Sequence, residues 1–465
     1  MMYSKNKIII SVFFIFVIVF ITFQSCKKTP QLLKEDDYNE WYSGGKQTVF
    51  INGSSAFSQP FNGLSNSKAT LHEFGDAFFG TTFNSDNGQR NHGLGPIFNS
   101  QSCISCHIGD GRTRAPMPGE PLGPVLIRIS MPGENEHGEP NSVPGFGVQI
   151  QQRGIFGVLA EANVAVSYTE NSYQFPDGEV YKLRKPTYTI SNPYMPIPNG
   201  MLISARMPRP VFGMGLLEAI PEGDILRRAD ENDSNGDRIS GKPNFVYDMS
   251  SHSMKLGRIG WKASQPTILQ QVAFGFTEDI GITNFVLPRE NSFGQLQDDH
   301  KNDDTEMGDS VLFAVSYYIK TLAVPGRRNV DDPIVKEGKK IFNQIGCVSC
   351  HTSMQKTGAD MLYPELSNQT IFPYTDLLLH SMGGDLDDGR PDHLAEGDEW
   401  RTPPLWGIGL TNAVNGHQNF LHDGRARNLV EAIMWHGGEA GTAKSIFYNS
   451  SKTDRDALIK FLNSL

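Results

Sequence analysis

Two short motifs in the sequence could bind the same redox cofactor. The first consists of Cys103, Cys106 and His107, and the second of Cys347, Cys350 and His351. In c-type haem attachment, the two thiols of a Cys-x-x-Cys-His motif add to the vinyl groups of the porphyrin, and the adjoining histidine ligates the iron. Zinc sites and thioredoxin-like pairs also use Cys-x-x-Cys. Zinc takes four ligands, however, and a thioredoxin-like pair needs a βαβ context that the sequence pattern does not show. The sequence therefore predicts two covalently bound haem c groups.

The remaining cysteine of the chain, Cys26, follows an N-terminal targeting segment. Two lysines precede an apolar run over residues 8–23, and a serine stands directly before the cysteine. This pattern is typical of a bacterial lipoprotein signal. The alternative is an uncleaved membrane helix, but the run is short and lacks a stop-transfer flank. We therefore expect a signal peptide over 1–25, a lipid on Cys26 and a linker over 26–65. The lipid would anchor the protein to the outer membrane, on the periplasmic side of a bacterial cell envelope.

Net charge and amino-acid composition limit the functions that the protein could have. The 465 residues carry a net charge of −10, which argues against a nucleic-acid partner because such binding needs a basic face. Glycine (47) and proline (28) are abundant, which indicates many loops. Aromatic residues make up 10% of the chain, so we expect a folded protein and not a disordered one. The length suggests two or three domains.

The second motif lies between two predicted helices. Asp332 and Pro333 are typical of an N-cap and a first helical turn, and apolar residues then recur at helical spacing as far as Phe342. Gly346 ends this helix just before the motif. Leu458, Phe461, Leu462 and Leu465 lie on one face of a second helix near the end of the sequence. A helix that enters a haem-binding turn is how small cytochrome c domains begin.

These elements predict how the chain divides into domains. A C-terminal cytochrome c-type domain spans 326–465 and follows a linker at 325–328. The N-terminal haem domain, 66–325, is longer and contains strand-like stretches at 125–129 and 181–190. The predicted fold is therefore mainly α, with two cytochrome c-type haem domains. Loops and a few strands enlarge the N-terminal one.

The chain also resembles itself. The Arg206-Met207-Pro208 block with Gly213 and Gly215 is echoed by the Arg401-Thr402-Pro403 block with Gly407 and Gly409. Each block lies downstream of its own Cys-x-x-Cys-His motif. Two diverged copies of one cytochrome c unit would produce this pattern.

Longer motifs carry a resemblance to a known family. They lie at residues 215–221, 257–263, 378–383, 401–407, 420–426, 429–433 and 435–440. Together they resemble the di-haem oxidoreductase (thiol oxidoreductase) subfamily of the di-haem bacterial cytochrome c peroxidase superfamily. The resemblance covers most of residues 70–465. It implies two cytochrome c-like units and redox chemistry at one of the two irons.

The resemblance implies a second axial ligand for the C-terminal haem. The family places this ligand just after the Leu-x-Glu-Ala block, where the peroxidases have methionine. The matching position here is His436, so we expect bis-histidine ligation and a lower potential than histidine–methionine ligation gives. The alternatives are Met434, Met382 and His380.

Other family positions imply residues that act near the N-terminal haem. Trp261 matches a tryptophan between the haems, although core packing would also explain it. Gln271 matches a family glutamine, with a helix-surface residue as the alternative. Glu278 and Asp279 lie close to the distal glutamate of the family, and Glu218 is a second candidate acid. Cleavage of the O–O bond of peroxide needs a carboxylate that moves a proton between the two oxygens.

No family-like distal ligand stands out for the N-terminal haem. The first histidine after the motif, His137, lies in a loop rich in glycine, proline and glutamate, and it matches the family poorly. His72 and His92 precede the motif and could ligate the iron. We expect an N-terminal iron that is open or weakly ligated.

An acidic loop could bind a cation. Asp233, Asn235 and Asp237 supply oxygen atoms at alternate positions, and Gly236 stands at the turn, as at the start of a calcium loop. The closing bidentate glutamate of a full loop is missing. Either a calcium ion or an Asx-rich surface turn fits these residues.

Three functions fit these features. The leading hypothesis is a di-haem oxidoreductase that passes electrons from the C-terminal haem, by way of Trp261, to an N-terminal haem that reduces peroxide or a related small oxidant. A small cytochrome or cupredoxin would supply the electrons, and the acidity of the chain fits a basic donor. The alternatives are an electron carrier with both haems six-coordinate and a haem oxidase that acts on a partner protein. The first and third functions need an open iron, whereas the second forbids one.

Overall fold

The computed structural model describes residues 40–86, 88, 91–301 and 305–465. The predicted signal peptide, Cys26 and most of the predicted N-terminal linker lie outside the described residues. Helices account for 28% of the chain and strands for 18%, so the expectation of a mainly α fold understates the strands. In the described residues, no helix combines the length and the apolar character needed to cross a membrane.

The helices of the described residues are short apart from two pairs. In chain order they are α1 Asn66–Phe79, α2 Cys103–Cys106, α3 Met214–Glu218, α4 Glu222–Leu226, α5 Ile268–Phe274, α6 Asp309–Lys320, α7 Pro333–Gln344, α8 Thr411–Asn415, α9 Leu429–Trp435, α10 Gly441–Asn449 and α11 Lys452–Leu462. A π-helical segment, Gly275–Ile280, continues directly from α5. The predicted caps of α7 are confirmed. Asp332 accepts a hydrogen bond from the amide of Ile334, and Gly346 adopts a left-handed conformation before the second motif.

The strands pair two by two and lie outside the helical crossings. They are β1 Thr48–Val49, β2 Ile97–Phe98, β3 Leu126–Ser130, β4 Arg153–Gly154, β5 Asn163–Gln174, β6 Val180–Ser191, β7 Leu202–Arg206, β8 Phe245–Asp248, β9 Ser253–Leu256, β10 Val324–Pro325, β11 Gln355–Lys356, β12 Thr370–Ile371, β13 Leu379–Ser381 and β14 Glu399–Arg401. The pair β1–β10 is parallel and the others are antiparallel. β3 and β6 confirm the strands predicted near 125–129 and 181–190.

One helix crossing occurs twice in the chain. α1 packs on α6, and α7 packs on α11. Each crossing has a glycine on its first helix, because a Cβ atom at Gly75 would overlap the carbonyl of Ala314 and one at Gly338 would overlap the carbonyl of Ala457. The close approach of two helices therefore requires glycine at the same point of both crossings. This supports the internal repeat found in the sequence.

The repeat extends to the aromatic rings beneath each crossing. The ring of Phe79, one turn after Gly75, lies 5.4 Å from that of Tyr318 and 6.0 Å from that of His107. The ring of Phe342, one turn after Gly338, lies 5.3 Å from that of Phe461 and 6.3 Å from that of His351. Each crossing thus places a phenylalanine beside the histidine of one Cys-x-x-Cys-His motif.

A third helix completes each copy. α5 packs on α6, and α9 packs on α11. Both begin with a side-chain cap: Thr267 accepts a hydrogen bond from the amide of Gln270, and Asn428 accepts one from the amide of Glu431. The residues that end the two helices differ. α5 ends at Gly275, where the π-helical segment begins, whereas α9 ends at His436.

The hairpin β5–β6 reaches from the N-terminal half of the chain to the C-terminal helices. At its tip, the guanidinium of Arg455 lies 4.0 Å from the centroid of the Phe175 ring. The same guanidinium donates to Asp177 at 2.6 Å and to Glu179 at 2.8 Å. Tyr448 donates its hydroxyl to the carbonyl of Gln174 at 3.0 Å. The hairpin is therefore fixed to α10 and α11.

The segment predicted as a linker is part of the packed structure. β10 contributes Val324 and Pro325 to the pair with β1. Arg327 is buried and pairs with Glu40. The connection at 325–328 is therefore fixed and buried, not an exposed flexible linker, and a domain boundary at 325/326 stays a prediction.

Candidate haem sites

The first motif occupies α2 and the residue that ends it. Nδ1 of His107 lies 2.8 Å from the carbonyl oxygen of Arg209, and burial lowers the pKa of His107 to about 4. A ring N–H that donates to a carbonyl fixes the tautomer and leaves Nε2 with a lone pair for a metal. His107 is therefore a neutral imidazole whose Nδ1 is fixed by a backbone carbonyl, the arrangement that a haem-ligating histidine needs.

The second motif has the same arrangement on a different support. Nδ1 of His351 lies 3.0 Å from the carbonyl oxygen of Tyr374, and burial lowers the pKa of His351 to about 4. The cysteines of both motifs are free thiols, so all four are available for thioether bonds. Both motifs thus present the donor set that the sequence predicts.

His436 is placed to be the second ligand of the C-terminal haem. Its Nδ1 lies 2.7 Å from the carbonyl oxygen of Ala432, which again leaves Nε2 free. Its charge also contributes to the lowered pKa of His351, after the larger effect of burial, so the two imidazoles lie near each other. The side chain of Met434 is buried in the apolar core of the C-terminal helices. His436 therefore fits the predicted role better than Met434 does.

His380, an alternative ligand, is occupied on both ring nitrogens. Nε2 lies 2.9 Å from Asp376, and Nδ1 lies 2.6 Å from Glu439. Burial lowers the pKa of His380, but the hydrogen bonds to these carboxylates raise it well above its ordinary value. A histidine held as a cation offers no lone pair to iron. Nδ1 also lies 3.5 Å from Sγ of Cys350, which places this ion cluster beside the second motif.

Asp279 lies beside the first motif, in the π-helical segment. Its backbone carbonyl accepts hydrogen bonds from the amides of Asn99 and Ser100, both at 2.9 Å. Its Oδ1 accepts from Nε2 of Gln149 at 2.9 Å. Its charge adds to the effect of burial in raising the pKa of Cys103, and burial raises the pKa of Asp279 itself to about 6. Asp279 therefore lies close enough to the first motif for its charge to act on the thiols.

Glu278 is the second acid of this segment. Burial raises its pKa to about 7, and the negative charge of Asp279 adds to the rise. Its backbone carbonyl accepts from the side chains of Gln149 and Gln151, at 2.9 and 2.6 Å. In the described part of the chain, its carboxylate has no hydrogen-bond partner. Glu278 can therefore exchange a proton near neutral pH without breaking a structural bond.

Trp261 connects the two sequence blocks of the internal repeat. Its indole Nε1 donates to the carbonyl of Met207 at 2.8 Å, and its own carbonyl accepts from the amide of Arg401 at 2.9 Å. The guanidinium of Arg209, whose carbonyl holds His107, lies 5.3 Å from the centroid of a Trp261 ring. Trp261 is thus connected to His107 through Arg209. It also contacts the second repeated block directly, at Arg401.

The other candidate residues lie in different settings. Gln271 is half-buried on α5, one turn before Gly275 and therefore on the same helix face. Glu218 is engaged structurally, because it accepts from the amide of Ile268 at 2.8 Å and pairs with Lys320. This role argues against Glu218 as a distal acid.

The structure also shows the surroundings of the three histidines that were considered as ligands of the first iron. His72 is buried on α1, with Nδ1 2.8 Å from the hydroxyl of Thr321. His92 is exposed. The exposed ring of His137 stacks on Tyr247 with centroids 3.9 Å apart. None of these contacts directs an imidazole toward the first motif.

Two arginines, each with a buried nitrogen atom that has no partner in the described part of the chain, fit a cofactor that carries carboxylates. Arg401 is 1% exposed, and its Nε and Nη1 donate to the carbonyls of Gly260 and Thr402, both at 3.1 Å. Its Nη2 has no partner among the described residues, and burial lowers its pKa to about 9. Nε of Arg112 is likewise unpartnered there, and burial lowers the pKa of Arg112 to about 10. Haem propionates would supply the missing acceptors, so the residues present fit the group.

The acidic loop uses its predicted ligands within the loop itself. Oδ1 of Asp233 accepts from the amide of Arg238, Oδ1 of Asn235 from that of Asp237, and Oδ1 of Asp237 from that of Ile239. These bonds are those of an Asx-rich turn. Calcium at this loop stays a prediction.

Several residues around these sites carry no signal in the sequence. The carbonyls of Arg209 and Tyr374 come from segments far from the motifs they serve. Lys262 is fully buried next to Trp261 and donates to the carbonyls of Arg390, Glu396 and Gly397 at 2.9, 2.6 and 2.9 Å. In the sequence, Lys262 is only a lysine that follows a tryptophan in a glycine-rich segment, and this pattern does not predict a buried side chain. The repeated Arg-x-Pro blocks were the available signal for Arg401.

Two Cys-x-x-Cys-His motifs, each with a proximal histidine held by a backbone carbonyl, are the features of a di-haem protein. The chain belongs to the family described as "Di-haem oxidoreductase, putative peroxidase", whose model matches residues 38–465. The protein is thus an oxidoreductase with haem as its cofactor, and this match confirms the family resemblance found in the sequence. No curated protein matches the chain.

Two solved structures are similar to parts of the chain. Hydrazine synthase of Kuenenia stuttgartiensis is 21% identical over 35% of this chain and 57% of its own, with a TM-score of 0.23. A MauG-like protein associated with microbial copper homeostasis is 16% identical over 55% of this chain and 88% of its own, with a TM-score of 0.28. The similarity thus spans little more than half of the hydrazine synthase chain. The family match, not these structures, supports the assignment.

Proposed function

We propose that the protein is a peroxidase-like di-haem c-type oxidoreductase whose N-terminal iron reduces peroxide or a related small oxidant. The observation that carries this proposal is the difference between the two copies of the repeat. α9 ends at His436, which can ligate, whereas α5 ends at Gly275, which has no side chain. An iron with one protein ligand leaves a position for a small molecule, and an iron with two transfers electrons only.

The C-terminal haem is, in this proposal, the closed one. Cys347 and Cys350 would hold it through thioether bonds, and His351 and His436 would be the ligands of its iron. Both imidazoles are oriented by backbone carbonyls, so little reorganisation accompanies a change in charge. When bound, this haem would supply the entry point for electrons from a small cytochrome or cupredoxin. The net charge of −10 favours a basic donor.

The N-terminal haem is the site of chemistry. When bound, it supplies an iron that can bind peroxide. Glu278 takes a proton from the inner oxygen of peroxide and returns it to the outer oxygen, which leaves as water. Two electrons from the donor and two protons from solvent complete the reduction of one peroxide to two waters. A π-helical segment is often found where a helix is adapted for function, and here it carries Glu278 and Asp279.

Trp261 provides the contact between the two sites. It binds Met207 and Arg401, one from each repeated block, and lies against Arg209. We place the electron path between the haems through this indole. The protein would work outside the cytoplasm, attached to the membrane by a lipid on Cys26.

The proposal is tested by electron paramagnetic resonance of the oxidised, haem-loaded protein before and after addition of hydrogen peroxide. We expect one low-spin ferric signal from the C-terminal haem and one high-spin ferric signal that peroxide consumes. Two low-spin signals that do not respond to peroxide, in both the fully oxidised and the half-reduced protein, would contradict the proposal. They would support an electron carrier instead.

A further inference from the structure

Arg128 lies close to the segment that carries the acids beside the first motif. Arg128 lies in the middle of β3, where it pairs with Ser204 of β7 on one side and with Gln149 on the other. Residues directly opposite each other on antiparallel strands present their side chains on the same face. Ser204 of β7, Arg128 of β3 and Gln149, which pairs with Arg128 through an isolated β-bridge, therefore form one row.

The end of this row contacts the π-helical segment. Nε2 of Gln149 donates to the carboxylate of Asp279 and to the carbonyl of Glu278, both at 2.9 Å. Arg128 is the next side chain in the row, and its positive charge lowers the pKa of both acids against the larger effect of burial. Arg128 therefore shares a face with Gln149, the side chain that binds Asp279, and its charge acts on the same pair of carboxyl groups.

Two polar groups in this row lack partners. Within the part of the chain that the structure describes, the half-buried guanidinium of Arg128 has neither a hydrogen bond nor an ion pair. Gln149 is 2% exposed, and its Oε1 has no hydrogen-bond donor there. A buried acceptor without a donor is costly, and an unpaired guanidinium offers strong donors. Among the described residues, Arg128 is thus a donor without a partner, and Oε1 of Gln149 is an acceptor without one, close to the acid Glu278. Such a pair would suit a small ligand that both donates and accepts hydrogen bonds.

We propose that Arg128 is a catalytic residue that binds the small oxygen-containing or anionic ligand of the N-terminal haem, with Oε1 of Gln149 as a second contact. This inference rests on the proposed function, because it requires an open N-terminal iron. Peroxide matches the site, since each of its oxygens carries one proton and can also accept a hydrogen bond. As the O–O bond breaks, the electron pair leaves with the outer oxygen. The cation of Arg128 stabilises that negative charge until the proton from Glu278 arrives, and the oxygen leaves as water. The donor protein supplies the two electrons.

The experiment compares an anionic and a neutral ligand of the ferric N-terminal haem. Sodium fluoride and imidazole are titrated into the oxidised, haem-loaded protein, and binding is followed in the visible spectrum. The variants are Arg128→Gln, which removes the charge, and Arg128→Lys, which keeps it. Arg289→Gln is the matched control, because Arg289 is an exposed arginine whose guanidinium lies over the ring of Phe293.

We expect Arg128→Gln to weaken fluoride binding by about tenfold or more, which is the usual effect of losing a charge-assisted hydrogen bond. Arg128→Lys should retain most of the affinity for fluoride, and imidazole binding should stay the same in all variants. Unchanged fluoride affinity in Arg128→Gln would overturn the proposed role of Arg128 and would leave the proposed function of the protein standing. Equal losses for fluoride and imidazole would overturn it too, because they would indicate a collapsed cleft. A wild-type protein that binds neither ligand would overturn the proposed function as well.

Discussion

Four histidines around the two motifs differ in what binds their ring nitrogens. His107, His351 and His436 each have Nδ1 within hydrogen-bond distance of a backbone carbonyl, which leaves Nε2 for a metal. His380 has a carboxylate at each nitrogen and is charged. The motifs identify the first two of these histidines, and the family resemblance identifies His436. The sequence could not distinguish His380 from a ligand, because Glu439 lies far from it along the chain.

The ligand assignment predicts the effect of exchanging His436 for methionine. His436→Met should raise the reduction potential of the C-terminal haem, because methionine stabilises the ferrous state. Potentiometric titration of the low-spin signal measures this shift. Met434→Leu is the control, since Met434 is a core residue two positions away and its loss should leave the potential unchanged. A potential that moves in the control and not in His436→Met would identify Met434 as the ligand.

The assignment of Glu278 predicts a pH dependence. Burial raises its pKa to about 7, and the proton transfer begins with its ionised form. The peroxide reduction rate should therefore rise with pH through about 7 and be lost as Glu278 becomes protonated below that pH. Glu278→Gln should lower the rate by at least about 100-fold and remove this limb of the profile. The exposed acid Glu231 provides the control, and a pH limb that persists in Glu278→Gln would assign the titration to another group.

At the scale of elements, the repeat explains both the common and the different parts of the two sites. Gly75 and Gly338 permit the same crossing, and Phe79 and Phe342 pack beside the two proximal histidines. The helix and caps of α7 were predictable from local signals such as Asp332 and Pro333. The crossing of α1 with α6 was not predicted, because more than two hundred residues separate these helices and only their packing shows that they are partners.

The pairing of α5 with α9 predicts that a ligand can be added to the N-terminal iron. Gly275 has a helical backbone, and a Cβ atom there would have only the Asp279 carboxylate nearby, at 3.9 Å. Gly275→His places an imidazole at the position that corresponds to His436. We expect the high-spin ferric signal to be replaced by a low-spin one and the reaction with peroxide to be lost.

Gly275→Ala is the control for this variant. It adds a methyl group into the same space and should keep both the high-spin signal and the activity. If both variants lose the high-spin signal, the change would come from the helix and not from a new ligand. A high-spin signal that persists in Gly275→His would show that the correspondence with His436 does not extend to the iron.

At the scale of the whole molecule, the two sites are joined by backbone and side-chain contacts. Met207 and Arg401 hold Trp261 from two sides, and the buried ammonium of Lys262 fixes the next residue to the loop around Arg390. Sequence motifs indicated Trp261, but these supports come from distant segments and could not be foreseen. An indole held in this way has little freedom to change its distance to either site.

This arrangement predicts a specific effect of removing the indole. Trp261→Phe should slow electron transfer from the reduced C-terminal haem to the N-terminal haem, while the spectra and ligation of both haems stay unchanged. Stopped-flow spectroscopy of the half-reduced protein with peroxide measures the rate. Trp41→Phe, at a tryptophan that packs on Phe50, is the control. An unchanged rate in Trp261→Phe would place the electron path elsewhere.

The hairpin β5–β6 has a consequence for the order of synthesis and folding. Its tip is made before α10 and α11, yet Phe175 is covered only when Arg455 and Phe447 arrive. Until then, the apolar tip lacks its final cover, and the second copy of the repeat is incomplete. The nascent chain therefore stays open on this side while both cysteine pairs emerge. If haem is attached covalently, as proposed above, both Cys-x-x-Cys-His segments would be accessible in that interval, and closure of the hairpin would mark the end of cofactor loading.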